Sequence, residues 1–244
     1  MAKILMVVSA ADSLTLADGT AHPTGYWAEE VVVSHQVLTE AGIDVDIATP
    51  GGAQPTVDPI SLDERGNVEP GDAKEFRAYL DSLAGQLAKP LALADVTATD
   101  YDAVYIPGGH GPMEDLAHDA DLGRLLTATE RSGKIVAALC HGPAGVLSAS
   151  GASGESGDTG AGFVFSGRRL TVFSDEEERQ GGLGEAVPYF VESRLRDLGA
   201  VVETGPAWAS KVVADGNLIT GQNPQSSHDT ARQVVQALKE RGSA

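Results

Sequence analysis

Cys140 is the only cysteine in the 244-residue chain, and His141 follows it directly. The pair closes an apolar run, Ile135 to Leu139, which is too short for a helix and suits a buried strand. Gly142 and Gly145 let the chain turn sharply, and Pro143 is tolerated in the first turn of a helix expected from Gly142 to Ala149. A strand that ends in a nucleophile and folds at once into a helix is the nucleophile-elbow pattern. Such a turn lifts the side chain above the sheet edge toward the positive end of the helix, which favours thiolate. Free cysteine is also among the most buried residue types, so a structural cysteine is the plain alternative. The turn, the helix start and the adjacent histidine together favour the reactive reading.

Other stretches carry groups such a thiol could use. Gly108-Gly109-His110 offers unencumbered backbone N–H groups that, with the N–H of His141, could face an oxyanion. A phosphate loop is not indicated there, because Pro107 to Gly111 has neither the Walker spacing nor its lysine. Ser174 to Glu178 supplies carboxylates, one of which could orient a histidine; an acidic run is equally at home in the solvated first turn of a helix. His141 is the natural base if the turn brings it to the thiol, although neighbours in a sharp turn often point apart. Glu30 matters only if it points into the cleft. His22, His35, His118 and His228 show no metal-ligand spacing, so no metal is expected.

The elements that must position these groups alternate. Strands are expected at Lys3–Val8, Ile43–Ile47, Tyr101–Ile106, Ile135–Leu139, Leu170–Phe173 and Ala200–Glu203, with a hairpin from Lys211 to Thr220 turning on Asp215-Gly216. Helices are expected from about Thr24 to Glu40, Asp119 to Arg131, Val187 to Leu198 and Asn223 to Glu240. The segment from Ala53 to Thr99 reads as an insertion carrying a helix at Lys74–Leu87, and Ser150 to Gly167 as a glycine-rich surface excursion. The pattern predicts one α/β domain over residues 1–244 with a mainly parallel sheet and helices on both faces. Ligands gather beyond the C-terminal ends of such strands. The loops after Val8, Ile106, Leu139 and Phe173 are therefore the ones to compare.

Composition narrows the partners. A formal net charge of -18 argues against nucleic acid and anionic membrane surfaces. No apolar run approaches the ~20 residues a membrane helix needs. The short apolar N-terminus, followed by Asp12 and Asp18, reads as a first strand and not as a signal peptide. A single cysteine excludes an internal disulfide framework, so a cytoplasmic setting is expected.

Ala137-Ala-Leu-Cys140-His141-Gly142-Pro143-Ala144, preceded by Tyr105-Ile-Pro-Gly-Gly-His-Gly111, resembles the ThiJ/PfpI (DJ-one) superfamily. Thr24 to Glu30, Leu170 to Glu178 and Leu218 to Pro224 are similar to its heat-shock glyoxalase branch (glyoxalase III, D-lactate dehydratase). The resemblance implies a flavodoxin-like fold with Cys140 as nucleophile, His141 as triad histidine and Glu30 as the proton-handling glutamate. It implies Glu178 as triad acid, with a slip to Glu177 open, and an oxyanion site at Gly109 and the His141 N–H, beside His110. It further implies a cofactor-independent glyoxalase that takes a small 2-oxoaldehyde to D-lactate, and a homodimer. The rivals are a stress protein that holds unfolding clients and a cysteine hydrolase or protein deglycase of the same superfamily. A glutamine amidotransferase is disfavoured, because His228-Asp229-Thr230 lacks the His-x-Glu spacing.

Overall fold

The computed structural model describes residues 2–150, 162–181 and 183–242. Its main sheet has seven strands: β1 (Lys3–Val7), β2 (Asp44–Thr49), β3 (Leu91–Ala92), β4 (Ala103–Ile106), β5 (Ile135–Leu139), β6 (Val212–Asp215) and β7 (Leu218–Gly221). Their order is β6-β7-β5-β4-β1-β2-β3. All neighbours are parallel except β6, which meets β7 as an antiparallel hairpin at the edge. β4 and β5 are buried at every residue, as strands covered on both faces must be.

Side chains alternate between two cores. Ile4, Met6, Tyr105, Ala137 and Ile219 pack with Val31, Val32 and Leu38 of helix α1 (Ala28–Glu40). Ala231, Val234 and Leu238 of the C-terminal helix (Ser227–Glu240) close the same face. Leu5, Val7, Val104, Ile106, Val136 and Ala138 pack on the opposite face with Leu122, Leu125 and Leu126 of α2 (Ala120–Arg131). Asp119 caps α2 by accepting from the Leu122 N–H at 2.8 Å. Removing a leucine from this layer, for example Leu125→Ala, would cost about 2–5 kcal/mol. The chain therefore has the mainly parallel α/β architecture the alternation predicts, in the flavodoxin-like form the resemblance implies.

Several local expectations change. The loop after β1 contains a small hairpin, Ser13–Thr15 against Ala21–Pro23. The 53–99 segment reaches the sheet: Leu91–Ala92 pairs with Ala48–Thr49, and two residues are too few to read from periodicity. Its helix begins at Pro70, where proline occupies the first turn, and ends at Ser82, with a further short turn at Ala84–Leu87. Leu170–Phe173 is not a strand of the main sheet. Arg169–Leu170 pairs instead with Val201–Val202 in a separate ribbon, while the Thr171 N–H donates to Thr220 Oγ1 and the Phe173 N–H to the Cys140 carbonyl. The helix after the elbow, Gly142–Ser150, is 3-10 and not α. Residues 151–161 of the glycine-rich stretch lie outside the described residues. Phe163 and Phe165, at its end, are buried in the α2-side core and are not a surface excursion.

Candidate active site

Cys140 leaves β5 with φ +57, in the left-handed region that residues other than glycine rarely adopt. Two bonds hold it there: its N–H donates to the Gly221 carbonyl at 3.0 Å, and its own carbonyl accepts from the Phe173 N–H at 2.9 Å. The backbone is thus over-determined from both sides, the condition under which such a conformation persists. Gly142 must be glycine, because a Cβ there would stand 2.1 Å from the Ile106 carbonyl oxygen. A Cβ on Gly108 would stand 2.7 Å from the His141 nitrogen and 2.9 Å from Glu30 Oε2. The loops after β4 and β5 therefore abut with no room for side chains between them.

The turn does bring the two neighbours together. His141 Nδ1 lies 3.4 Å from Cys140 Sγ, and its Nε2 lies 2.6 Å from Glu178 Oε2. Glu178 stands in the first turn of helix α3 (Asp175–Gln180), so it is this glutamate, not Glu177, that meets the imidazole. Glu177 points elsewhere, into a capping box with Ser174 and onto Trp208, Gln222 and Asn223. His110 also reaches the acid, with Nε2 at 3.1 and 3.3 Å from the two Glu178 oxygens. Its imidazole is occupied there, beside the His141 ring at a centroid distance of 4.2 Å. His141 is packed on its other side by Phe173 at 4.5 Å, and Phe173 in turn meets the edge of Trp208 at 5.5 Å.

Glu30 enters from the first turn of α1 and is fully buried. Its Oε2 accepts from the Gly108 N–H at 2.6 Å, whereas Oε1 is buried with no partner at hydrogen-bond geometry. Burial pushes its pKa up to about 8, with the Gly108 N–H and Cys140 opposing and Glu29 adding to the rise. Glu29, partly exposed next door, is pushed up to about 7 by burial and by Asp72. The Cys140 thiol is also pushed up, first by burial and then by the Glu30 carboxyl, while the His141 N–H opposes. An elbow alone therefore does not lower this thiol, contrary to the expectation from sequence. A neutral Glu30 changes the balance, since its O–H can donate to the sulfur and the two groups lose protons as a pair. Burial, aided by His110, pushes His141 down against the pull of Glu178. Burial opposes ionisation of Glu178, but His141 and His110 outweigh it and hold the carboxyl well below the usual range.

The site is closed and acidic. Cys140 is 4% exposed and His141 2%. The titratable groups that weigh most on Glu30, Cys140, His141 and Glu178 are glutamates, histidines and the thiol itself. Three ligand atoms, from His110, His141 and Glu178, lie within 4.8 Å of one another and have the donor chemistry for a divalent cation. They come from the loop after β4, the elbow and α3, so no sequence spacing links them. His22, His35, His118 and His228 join no such cluster among the described residues. Sequence reasoning missed Phe173 and Trp208 as the ring stack behind His141. It also missed the Gly108 N–H as the partner of Glu30. The one available signal was Ser174-x-x-Glu177, a capping-box pattern that assigns Glu177 to the helix end.

Known proteins are similar to this chain over nearly its whole length. The protein/nucleic acid deglycase HchA of Pseudomonas aeruginosa is 27% identical over 249 residues, covering 98% of this chain and 81% of the relative. The glutathione-independent glyoxalase HSP31 of Saccharomyces cerevisiae is 28% identical over 247 residues, covering 97% of this chain and 98% of the relative. The crystal structure of the Rapid Encystment Protein 24 kDa of Francisella tularensis superposes with a TM-score of 0.82 at 28% identity, covering 98% of this chain and 99% of that one. The DJ-1/PfpI family pattern matches residues 23–237, and the chain belongs to that family.

Proposed function

We propose that the protein is a glutathione-independent glyoxalase that converts methylglyoxal to D-lactate, and glyoxal to glycolate. The observation that carries this reading is the chain Glu178–His141–Cys140, with the buried Glu30 carboxyl beside the same thiol. Cys140 sulfur, as a thiolate sharing one proton with Glu30, adds to the aldehyde carbon, and the hemithioacetal oxygen takes that proton from Glu30, leaving a carboxylate able to act as base. The N–H groups of Gly109 and His141 steady that oxygen while it carries charge. Glu30 or His141 then removes the hydrogen from the former aldehyde carbon, and the enediol takes a proton at the adjacent carbon. This leaves a thioester of the 2-hydroxy acid on Cys140. Water, deprotonated by His141 while Glu178 steadies the imidazolium, cleaves the thioester and restores the thiol.

Closure of the site supports a small free aldehyde as substrate, because so little of Cys140 is exposed. The acidic surroundings fit a thiol supplied by the protein itself. Glutathione would bring two carboxylates to a site whose charged neighbours are glutamates and histidines. The same residues could release aldehyde adducts from proteins, the activity in the name of the Pseudomonas relative; the narrow access to sulfur favours the free aldehyde. A client-holding surface has little support, since the exposed large apolar residues among the described residues are Leu91, Val201 and Trp208. The test is D-lactate detection from methylglyoxal without glutathione. Wild type should form it and Cys140→Ala should not; a Cys140→Ala protein that keeps most of the turnover overturns the mechanism.

A further inference from the structure

Glu177 is fully buried, one residue from the acid on His141, and the mechanism above does not use it. Its two oxygens accept from five donors. Oε2 takes the Ser174 N–H at 2.9 Å, the Ser174 hydroxyl at 2.8 Å and Gln222 Nε2 at 3.0 Å. Oε1 takes the Trp208 N–H at 2.8 Å and Asn223 Nδ2 at 2.8 Å. These donors come from three segments: the start of α3, the loop after Glu203 and the end of β7. Each segment touches the reacting centre by another route. Phe173, just before the α3 cap, bonds the Cys140 carbonyl and packs on His141. Gly221, just before Gln222, accepts from the Cys140 N–H. Trp208, held at φ +62, closes on Phe173 and ties its indole N–H to Gln180 at 2.6 Å.

We propose that Glu177 is a positioning residue whose five-donor clamp sets the rotation of α3, and with it the placement of Glu178 on His141 and of Trp208 against Phe173. Successive helical residues point about 100° apart, so a helix fixed through Glu177 has no freedom left in where Glu178 points. A carboxylate is suited to the task because it accepts at both oxygens and needs no donor. An amide at this position would turn its NH2 toward either the Trp208 and Asn223 donors or the Ser174 and Gln222 donors. The clamp also brings a negative charge toward the site, acting on both Cys140 and His141. The other titratable groups facing these two are Glu30 from α1, His110 from the loop after β4 and Glu178 from α3.

The proposal rests on Cys140, His141 and Glu178 being the reacting centre, so two of its readouts are independent of turnover. The first is the pH profile of Cys140 alkylation by iodoacetamide in wild type, Glu177→Gln and Glu177→Asp. The second is Trp208 emission, recorded in a Trp27→Phe background that leaves Trp208 as the single indole. Glu177→Gln should move the alkylation midpoint to lower pH, alter Trp208 emission and lower kcat by about 100-fold, the loss that a misplacement near 1 Å produces. Glu177→Asp, which keeps the charge, should return the alkylation midpoint toward wild type. If Glu177→Gln does not fold, Glu177→Asp alone decides: it should keep the midpoint and still alter Trp208 emission. A melting temperature that falls while the midpoint and the emission stay at wild-type values overturns the proposal. Loss of the glyoxalase reading would show separately, as turnover that survives Cys140→Ala.

Discussion

Glu30→Gln isolates the cost of keeping a carboxyl in the core beside a thiol. Burial raises this group from an ordinary 4.5 to about 8. Below about pH 4.5 the folded and unfolded chains both hold its proton, and the group has no effect on stability. Between about 4.5 and 8 only the folded chain holds it, so stability falls as pH rises. Above about 8 both states are ionised and the loss is complete. At 1.36 kcal/mol for each pH unit separating the two values, the loss reaches at most about 5 kcal/mol. A glutamine keeps an oxygen for the Gly108 N–H but does not titrate. It places an NH2 beside the sulfur where Oε1 stands, an exchange whose effect does not vary with pH below the range in which the thiol ionises. Urea unfolding of wild type and Glu30→Gln at about pH 5, 6.5 and 8 measures the difference below the range in which a buried thiol ionises. Wild type should lose several kcal/mol relative to the variant between the first and last points. A difference that stays flat across that range refutes the buried neutral acid, and with it the idea that Glu30 donates its proton to the sulfur.

Wild-type kcat/KM should also fall above about pH 8, as Glu30 loses its proton, and a rate profile that keeps rising there would contradict that role. Cys140→Gly should be more stable than Cys140→Ala by about 1 kcal/mol despite glycine's flexibility, because φ +57 costs alanine and not glycine; thermal melts of the pair check this. Gly142→Ala should destabilise by about 1–3 kcal/mol, since its Cβ meets the Ile106 carbonyl; denaturant titration reads the loss. Glu178→Gln should lower kcat far more than His110→Ala, because only the first removes the acid from His141; steady-state rates on methylglyoxal compare them.

The parts of the fold legible in the sequence are those whose signal is local. β5 is a continuous apolar run, and α2 carries an Asp119 cap followed by leucines at helical spacing. The elbow could be recognised because sharp turning is written in Gly142 and Pro143. What could not be read depends on contacts between distant segments. Leu91–Ala92 is a strand only because β2 offers it an edge. Leu170–Phe173 has strand-like residues, yet Thr220 and Cys140 capture its N–H groups before a sheet partner does. The choice between Glu177 and Glu178 depends on how α3 is rotated, and two adjacent buried glutamates look alike in a string of letters. The thiol's environment was misjudged for the same reason: its dominant influences, burial and Glu30, come from α1, far away in sequence.

The glutamates beside the thiol bear on the traffic of molecules through the site. Methylglyoxal arrives uncharged, so nearby glutamates do not hinder its entry. In the proposed reaction, hydrolysis of the thioester converts it into an anion in a confined space already bearing the Glu177 and Glu178 carboxyls. Repulsion at these short ranges is strong, because little water screens it. The product is thus driven outward by the charge it has just acquired, and added lactate should be a poor inhibitor even at concentrations well above those of the aldehyde.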